Sequence, residues 1–331
     1  IESYRMFDKR KLNILANSLL IVALLRLLVN FVLFTSIISS TGLGDAYANY
    51  HELGSSALNM SDWQTKILWL TQPIHSSFFW FAPLVALQSY NNKDYISKKW
   101  IFITAVIFFS EILGYLSRSA RGELMYLVIK IGFLLTLLWP YLKSTIKKKV
   151  VSLSLFFAAF LFVYAIYITV DRFQDSSLDT QDGIIRYLGE AYPNLGNQLW
   201  NNVRVHPMGV RFFPFLFDFD VNTTSVADYQ DFWEFFVGVP MLNFKTIYGD
   251  FYIEFGVIGG LIGIVVLCLI WMIVFRNKNF KLYMMPLLGV YFQIITMAPL
   301  YFAYRGTNTY MQILWAIVFV FIIKYLLYYK K

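Results

Sequence analysis

Tyr248-Gly249-Asp250-Phe251-Tyr252-Ile253-Glu254-Phe255-Gly256-Val257-Ile258-Gly259 opens a stretch that stays apolar to Phe275, with Asp250 and Glu254 its only charged residues. A membrane-crossing helix needs roughly 20 mostly apolar residues. Residues 248–275 are therefore expected to form one span, with the two acids on a shared helix face, four residues apart, at its outer end. The same criterion carried outward gives eight spans, at about 12–38, 65–88, 99–117, 123–142, 150–170, 248–275, 282–303 and 309–328. The 331 residues are 58% hydrophobic and only 15% charged, whereas soluble domains carry about 45–50% apolar and about 25% charged residues. A soluble globular domain is excluded. The expected organisation is five spans in 1–170, an external loop with short interfacial helices in 171–247, and three spans in 248–331. The chain starts at Ile1, and we expect that it has been trimmed and that further spans once preceded it. Cys268 is the only cysteine, which excludes an intramolecular disulfide and any paired-cysteine metal or redox site.

Lysine and arginine give the orientation, because cytoplasmic loops concentrate them. One alternating set of segments holds 17 cations and three acids, a net +14, and the other holds nine cations and 14 acids, a net −5. Both termini are expected in the cytoplasm and the long loop outside. Fourteen of the 17 inner cations are Lys, but seven of the nine outer ones are Arg: Arg118, Arg121, Arg172, Arg186, Arg204, Arg211 and Arg305. Anchoring needs only charge. Arg adds a planar fork that grips phosphate or carboxylate by two bonds at once, so the outer set points to an anionic ligand, while pairing with the outer acids is the plain alternative for each member.

Ser117-Arg118-Ser119-Ala120-Arg121-Gly122-Glu123 is a tight outer turn that brings two guanidinium groups together, as a phosphate clamp would. Glu111 lies two helical turns before Arg118 and could orient it. Ionisable groups inside spans are costly and mark functional sites; here they are Arg26, Lys130, Glu111, Asp250 and Glu254, with His75 beside Pro73. Asp250, Glu254, His75 and His206 are the candidate bases. Asp218-Phe219-Asp220 has the Asp-x-Asp form of a divalent-metal site, but its neighbours are apolar, and neither a metal nor any other cofactor is expected. Asp171, Asp175, Asp179 and Asp182 read as a solvated loop.

The stretch Tyr248–Gly259 resembles the outer-loop-to-helix motif of bacterial oligosaccharide repeat-unit polymerases of the Wzy type. Arg121-Gly122 after Ser117-Arg118-Ser119 is similar to that family's Ser-Arg-Gly turn, and Tyr187–Asn194 has a counterpart in its external loop. The resemblance covers about residues 110–260. It implies an all-α membrane protein with a C-type glycosyltransferase fold in a bacterial plasma or inner membrane. The implied reaction, outside the membrane, moves a glycan from undecaprenyl diphosphate to a fresh lipid-linked repeat unit. Related O-antigen ligases carry a His-Asn pair where Lys245 and Thr246 stand here, which argues for polymerase over ligase.

On that basis Arg118, Arg121, Arg211 and Arg305 would hold the donor and acceptor diphosphates with Lys245 in support. Arg204 and Tyr248 would assist, and one of the four candidate bases would take the acceptor proton. Expected partners are the two lipid-linked oligosaccharides, membrane lipid, a chain-length regulator and a flippase, and no nucleic acid. A lipid-oligosaccharide flippase, an O-antigen ligase and a non-catalytic assembly subunit are the competing readings.

Overall fold

The computed structural model describes residues 9–40, 61–91, 98–117, 121–173, 189–217, 219, 226–241, 245–276, 281–304 and 307–328. Among them all regular structure is helical: α1 Lys9–Ser40, α2 Asp62–Asn91, α3 Lys99–Leu116, α4 Arg121–Leu138, α5 Ser144–Phe173, α6 Val226–Val237, α7 Thr246–Phe275, α8 Met285–Met297 and α9 Thr307–Tyr328, with short 3-10 and π turns between. Every expected span contains a helix. Three segments, Arg10–Ile37, Lys99–Leu116 and Thr246–Phe275, are long and apolar enough to cross a membrane. Among the described residues the chain is thus all-helical, with apolar helices of the kind found in a membrane-associated protein.

The chain divides into two compact units, one holding 55–180 with most of the residues before it and the other holding 181–325. In the first, α1, α2 and α3 pack together. Val29, Leu33 and Ile37 of α1 meet Ile67 and Leu68 of α2. Outward on α1, Ile21, Leu28 and Phe31 remain more than half exposed, as lipid-facing side chains do. Apolar side chains gain little by leaving lipid for protein, so helices in a membrane associate through close backbone approach and hydrogen bonds. Asn30 of α1 shows both: its amide nitrogen donates to the Ser110 carbonyl at 2.9 Å and to Ser110 Oγ at 3.1 Å. The absent side chain of Gly114, one turn on, leaves room for that amide. On the same face of α1, Arg26 reaches α2, donating to the Leu68 carbonyl at 3.1 Å, to Thr71 Oγ1 at 3.3 Å and to Gln72. These acceptors sit beside Pro73, which lacks an N–H to continue the helix ladder.

Between α3 and α4 lies a buried ion pair. Lys130 Nζ is 2.8 Å from Glu111 Oε2 and sits 3.7 Å from the centre of the Phe79 ring. Glu111 also accepts from Tyr115 OH at 3.2 Å, and its Oε1 is 3.6 Å from His75 Nδ1. Glu111 is thus engaged by Lys130 and His75; Arg118, which the sequence suggested it could orient, lies outside the described residues.

In the second unit α7 departs from the single straight span expected over 248–275. Gly256 has φ 71° and ψ −171°, a conformation open to glycine and strained for any other residue. A side chain on Gly260 would meet the backbone nitrogen of Tyr252 at 3.2 Å, and one on Gly263 would strike the Phe251 ring. In a straight helix, residues eight apart are separated by about 12 Å along the axis. The chain therefore turns back at Gly256, and Gly260 and Gly263 admit the first half of α7 against the second. The second half, 257–275, has a rise of roughly 28 Å, about the thickness of a bilayer core. Its Ile258, Ile262, Met272 and Ile273 are mostly exposed.

Replacing Glu111 with Gln leaves Lys130 buried without its counter-charge, and we expect a loss of about 3–5 kcal/mol in chemical unfolding of the detergent-solubilised protein. The double change Glu111→Leu with Lys130→Met should regain most of that loss.

Candidate active site at the turn of α7

The first half of α7 begins where its unpaired N–H groups find fixed acceptors. The first N–H groups of a helix have no partner within it. Here the N–H groups of Lys245 and Thr246 donate to the Leu300 carbonyl at 3.0 Å each, and that of Ile247 to the Ala298 carbonyl at 2.7 Å. The same segment continues into the Phe302 N–H, which donates to Asp250 Oδ2 at 2.7 Å. The segment after α8 thus caps α7 and supports its first acid.

The other support is Arg211, from the loop before α6. Its Nε donates to Glu254 Oε1 at 2.8 Å, its Nη2 to Asp250 Oδ1 at 3.1 Å and to the Asp250 carbonyl at 3.2 Å, and its Nη1 contacts Met241 Sδ at 3.8 Å. Glu254 Oε2 accepts from the Gly209 N–H at 2.8 Å. Arg211 is 3% exposed, and Asp250 and Glu254 are 0% exposed. Burial alone would push the Arg211 pKa down, but the adjoining carboxylates outweigh it and raise the value. One cation therefore bridges the i,i+4 acids that the sequence placed on one face.

That arrangement decides which groups can act on a substrate. Every nitrogen of Arg211 has a partner inside the protein, so it serves to hold the loop on α7 rather than to grip an external diphosphate. Lys245, 1% exposed, is in the same position: its Nζ donates to the Pro240 carbonyl at 2.7 Å and lies near Met241 Sδ. Asp250 and Glu254 present no oxygen to solvent. His75 is buried in the first unit, with Nε2 3.1 Å from the Ile107 carbonyl.

His206 differs from all of these. The turn at Gly256 releases the carbonyls that end the first half of α7. The Met208 N–H takes the one from Glu254 at 2.9 Å, and His206 Nδ1 takes the one from Ile253 at 2.9 Å. A carbonyl can only accept, so Nδ1 carries the proton and Nε2 is left as the acceptor nitrogen of the neutral ring. Nε2 has no hydrogen-bond partner among the described residues, and the ring is half-buried, edge-on to Tyr252 at 5.8 Å. Tyr248 stacks on the same tyrosine at 6.4 Å.

Arg204 is exposed, its stem lying on Gly238, where any side chain would collide with it. Arg305 is outside the described residues, as are Asp218 and Asp220. Arg121 opens α4, but its side chain is not among those described.

The core beneath the site joins Leu199, Trp233, Val237, Val239, Met241, Tyr252 and Ile253. Phe212 packs against Phe251, Phe255 and Phe302. Sequence reasoning passed over Gly209, Gly256 and Phe302, which act through backbone groups. Among the described residues no cluster of His, Cys, Asp and Glu is arranged to hold a metal. No family model matches the chain, and neither does any curated protein or solved structure.

Arg211→Lys keeps the charge but cannot span both acids. We expect it to lower stability by about 3–5 kcal/mol, as breaking a buried pair does; an arginine spent on substrate would leave unfolding unchanged. Gly256→Ala should cost about 1–3 kcal/mol through backbone strain, read from the same unfolding curves.

Proposed function

We propose that the protein is a membrane-embedded glycosyltransferase that polymerises oligosaccharide repeat units carried on undecaprenyl diphosphate, at the outer face of a bacterial plasma or inner membrane. The observation that carries this reading is the convergence at Gly256. The stretch resembling a repeat-unit polymerase, Tyr248–Gly259, is also the one on which the loop with His206 and Arg211 is fastened. The lysine-rich and arginine-rich sides of the sequence support the same orientation, with both termini of this chain cytoplasmic.

The donor sugar arrives activated by its diphosphate, so the enzyme must position two lipid-linked glycans, take one proton and stabilise a departing anion. His206 Nε2 accepts the proton from the acceptor hydroxyl as its oxygen bonds to the donor's anomeric carbon. The bond to the diphosphate breaks, and undecaprenyl diphosphate leaves with the electron pair. A single displacement inverts the anomeric centre. Asp250, Glu254 and Arg211 form the support that aims the histidine loop, which leaves Arg204 and Arg305, of the same unit, as the diphosphate ligands. A C-type fold with eight spans, and association with a chain-length regulator and a flippase, complete the proposal.

A flippase is the second reading. The break at Gly256 favours it, because transporters build their sites at discontinuous helices.

Deleting the gene separates the two. Loss of a polymerase should leave surface glycan as single repeat units, while loss of a flippase leaves units trapped inside; an unchanged ladder would overturn both. For the base, His206→Ala should reduce polymer formation by about 10²–10⁴-fold, the usual share of general base catalysis, in protein that still folds, its unfolding free energy lowered by about 1–3 kcal/mol through the lost bond to the Ile253 carbonyl. Normal ladders from that variant would remove His206 from the chemistry.

A further inference from the structure

The sequence Asn197-Gln198-Leu199-Trp200-Asn201-Asn202 has no part in the proton transfer, yet it sits beside His206. A π turn over Leu195–Leu199 ends at Trp200, whose N–H donates to the Leu195 carbonyl at 3.0 Å. This places the indole flat on the buried Tyr252 ring, with centroids 5.3 Å apart and planes 16° from parallel. Tyr252 is itself 5% exposed and packed in the core, but Trp200 remains 42% exposed. A large aromatic ring is therefore held rigidly from behind and bare in front. His206 meets the same Tyr252 ring edge-on.

The residues that follow Trp200 in the chain, Asn201 and Asn202, are polar and uncharged. Asn197, Asn201 and Asn202 are exposed. Asn201 adopts a left-handed conformation, φ 64°, and its N–H donates to Tyr252 OH at 3.2 Å. Asn202 Nδ2 donates to the carbonyls of Asn197 and Gln198 at 3.3 and 3.0 Å, leaving its Oδ1 as an acceptor. Side-chain amides pair a donor with an acceptor, as neighbouring sugar hydroxyls do. The C–H face of a pyranose carries partial positive charge that suits the negative face of an indole. An anionic ligand would instead call for cations here, and a lipid tail would find the amides hostile.

We propose that Trp200, flanked by Asn201 and Asn202, is a stacking platform for a neutral pyranose ring of the glycan, placed so that a hydroxyl of the bound sugar chain reaches His206 Nε2. The choice of ligand class rests on the glycosyl-transfer reading; the platform itself rests on the geometry. Trp200 is a positioning residue rather than a proton carrier. Its removal therefore weakens glycan binding and raises the acceptor KM more than it lowers kcat.

The test uses the full chain in nanodiscs and, as probe, the repeat-unit oligosaccharide released from its lipid by mild acid, with binding followed by saturation-transfer NMR. Wild type should bind. Trp200→Phe keeps a ring and should bind nearly as well, while Trp200→Leu, equally apolar but without a π face, should bind about tenfold more weakly, in line with stacking on an aromatic ring. Equal binding by the Phe and Leu variants would show a membrane anchor and overturn the platform, as would no binding by wild type. If Trp200-dependent binding is found but gene deletion leaves the glycan ladder intact, the platform stands and the polymerase reading falls. If the deletion strain loses its ladder while Trp200→Leu binds normally, the reverse holds.

Discussion

The second unit depends on one cation between two acids. Arg211 joins Asp250 and Glu254 on the first half of α7 to a loop some 40 residues earlier in the chain. All three charges are withdrawn from water. Such a group is costly to bury and stable only when each member is paired and hydrogen-bonded. The Phe302 and Gly209 N–H groups complete the pairing, so the segment after α8, the loop before α6 and the start of α7 are tied at one point. His206 lies five residues from Arg211 on that same loop and inherits its placement.

The glycine turn and the clamp complement each other. A turn at Gly256 strands two carbonyls at the end of a helical half, and stranded buried carbonyls need donors. The clamped loop supplies them from Met208 and His206. The histidine therefore satisfies the backbone and is oriented in the same bond. Its ring meets Tyr252 edge-on, and Tyr252 in turn stacks with Trp200 and Tyr248. Backbone accounting and catalytic geometry thus share one set of contacts.

Much of this was legible in the sequence where a local rule applied. The apolar runs marked the helices, and the spacing of Asp250 and Glu254 put them on one face. The ionisable groups within spans, Arg26, Glu111 and Lys130, proved to be where helices are fastened together. What escaped was long-range or carried by backbone. Arg211 and Lys245 read as ligands for an external anion because their charge was visible and their burial was not. The pairing of Glu111 with Lys130, 19 residues on and on the next helix, has no local spacing rule to announce it. Gly256, Gly259, Gly260 and Gly263 look alike in an apolar run, and only the backbone angle at the first distinguishes a turn from a close contact. The Phe302 N–H has no side-chain signature at all.

The most direct test of the central claim is reconstitution of the purified protein alone in liposomes with an undecaprenyl-diphosphate-linked repeat unit. Lipid-linked products are then resolved by mass spectrometry. The account predicts a ladder spaced by one repeat unit, with one undecaprenyl diphosphate released for each bond formed. An unextended lipid-linked unit, from protein whose unfolding curve is intact, would contradict it.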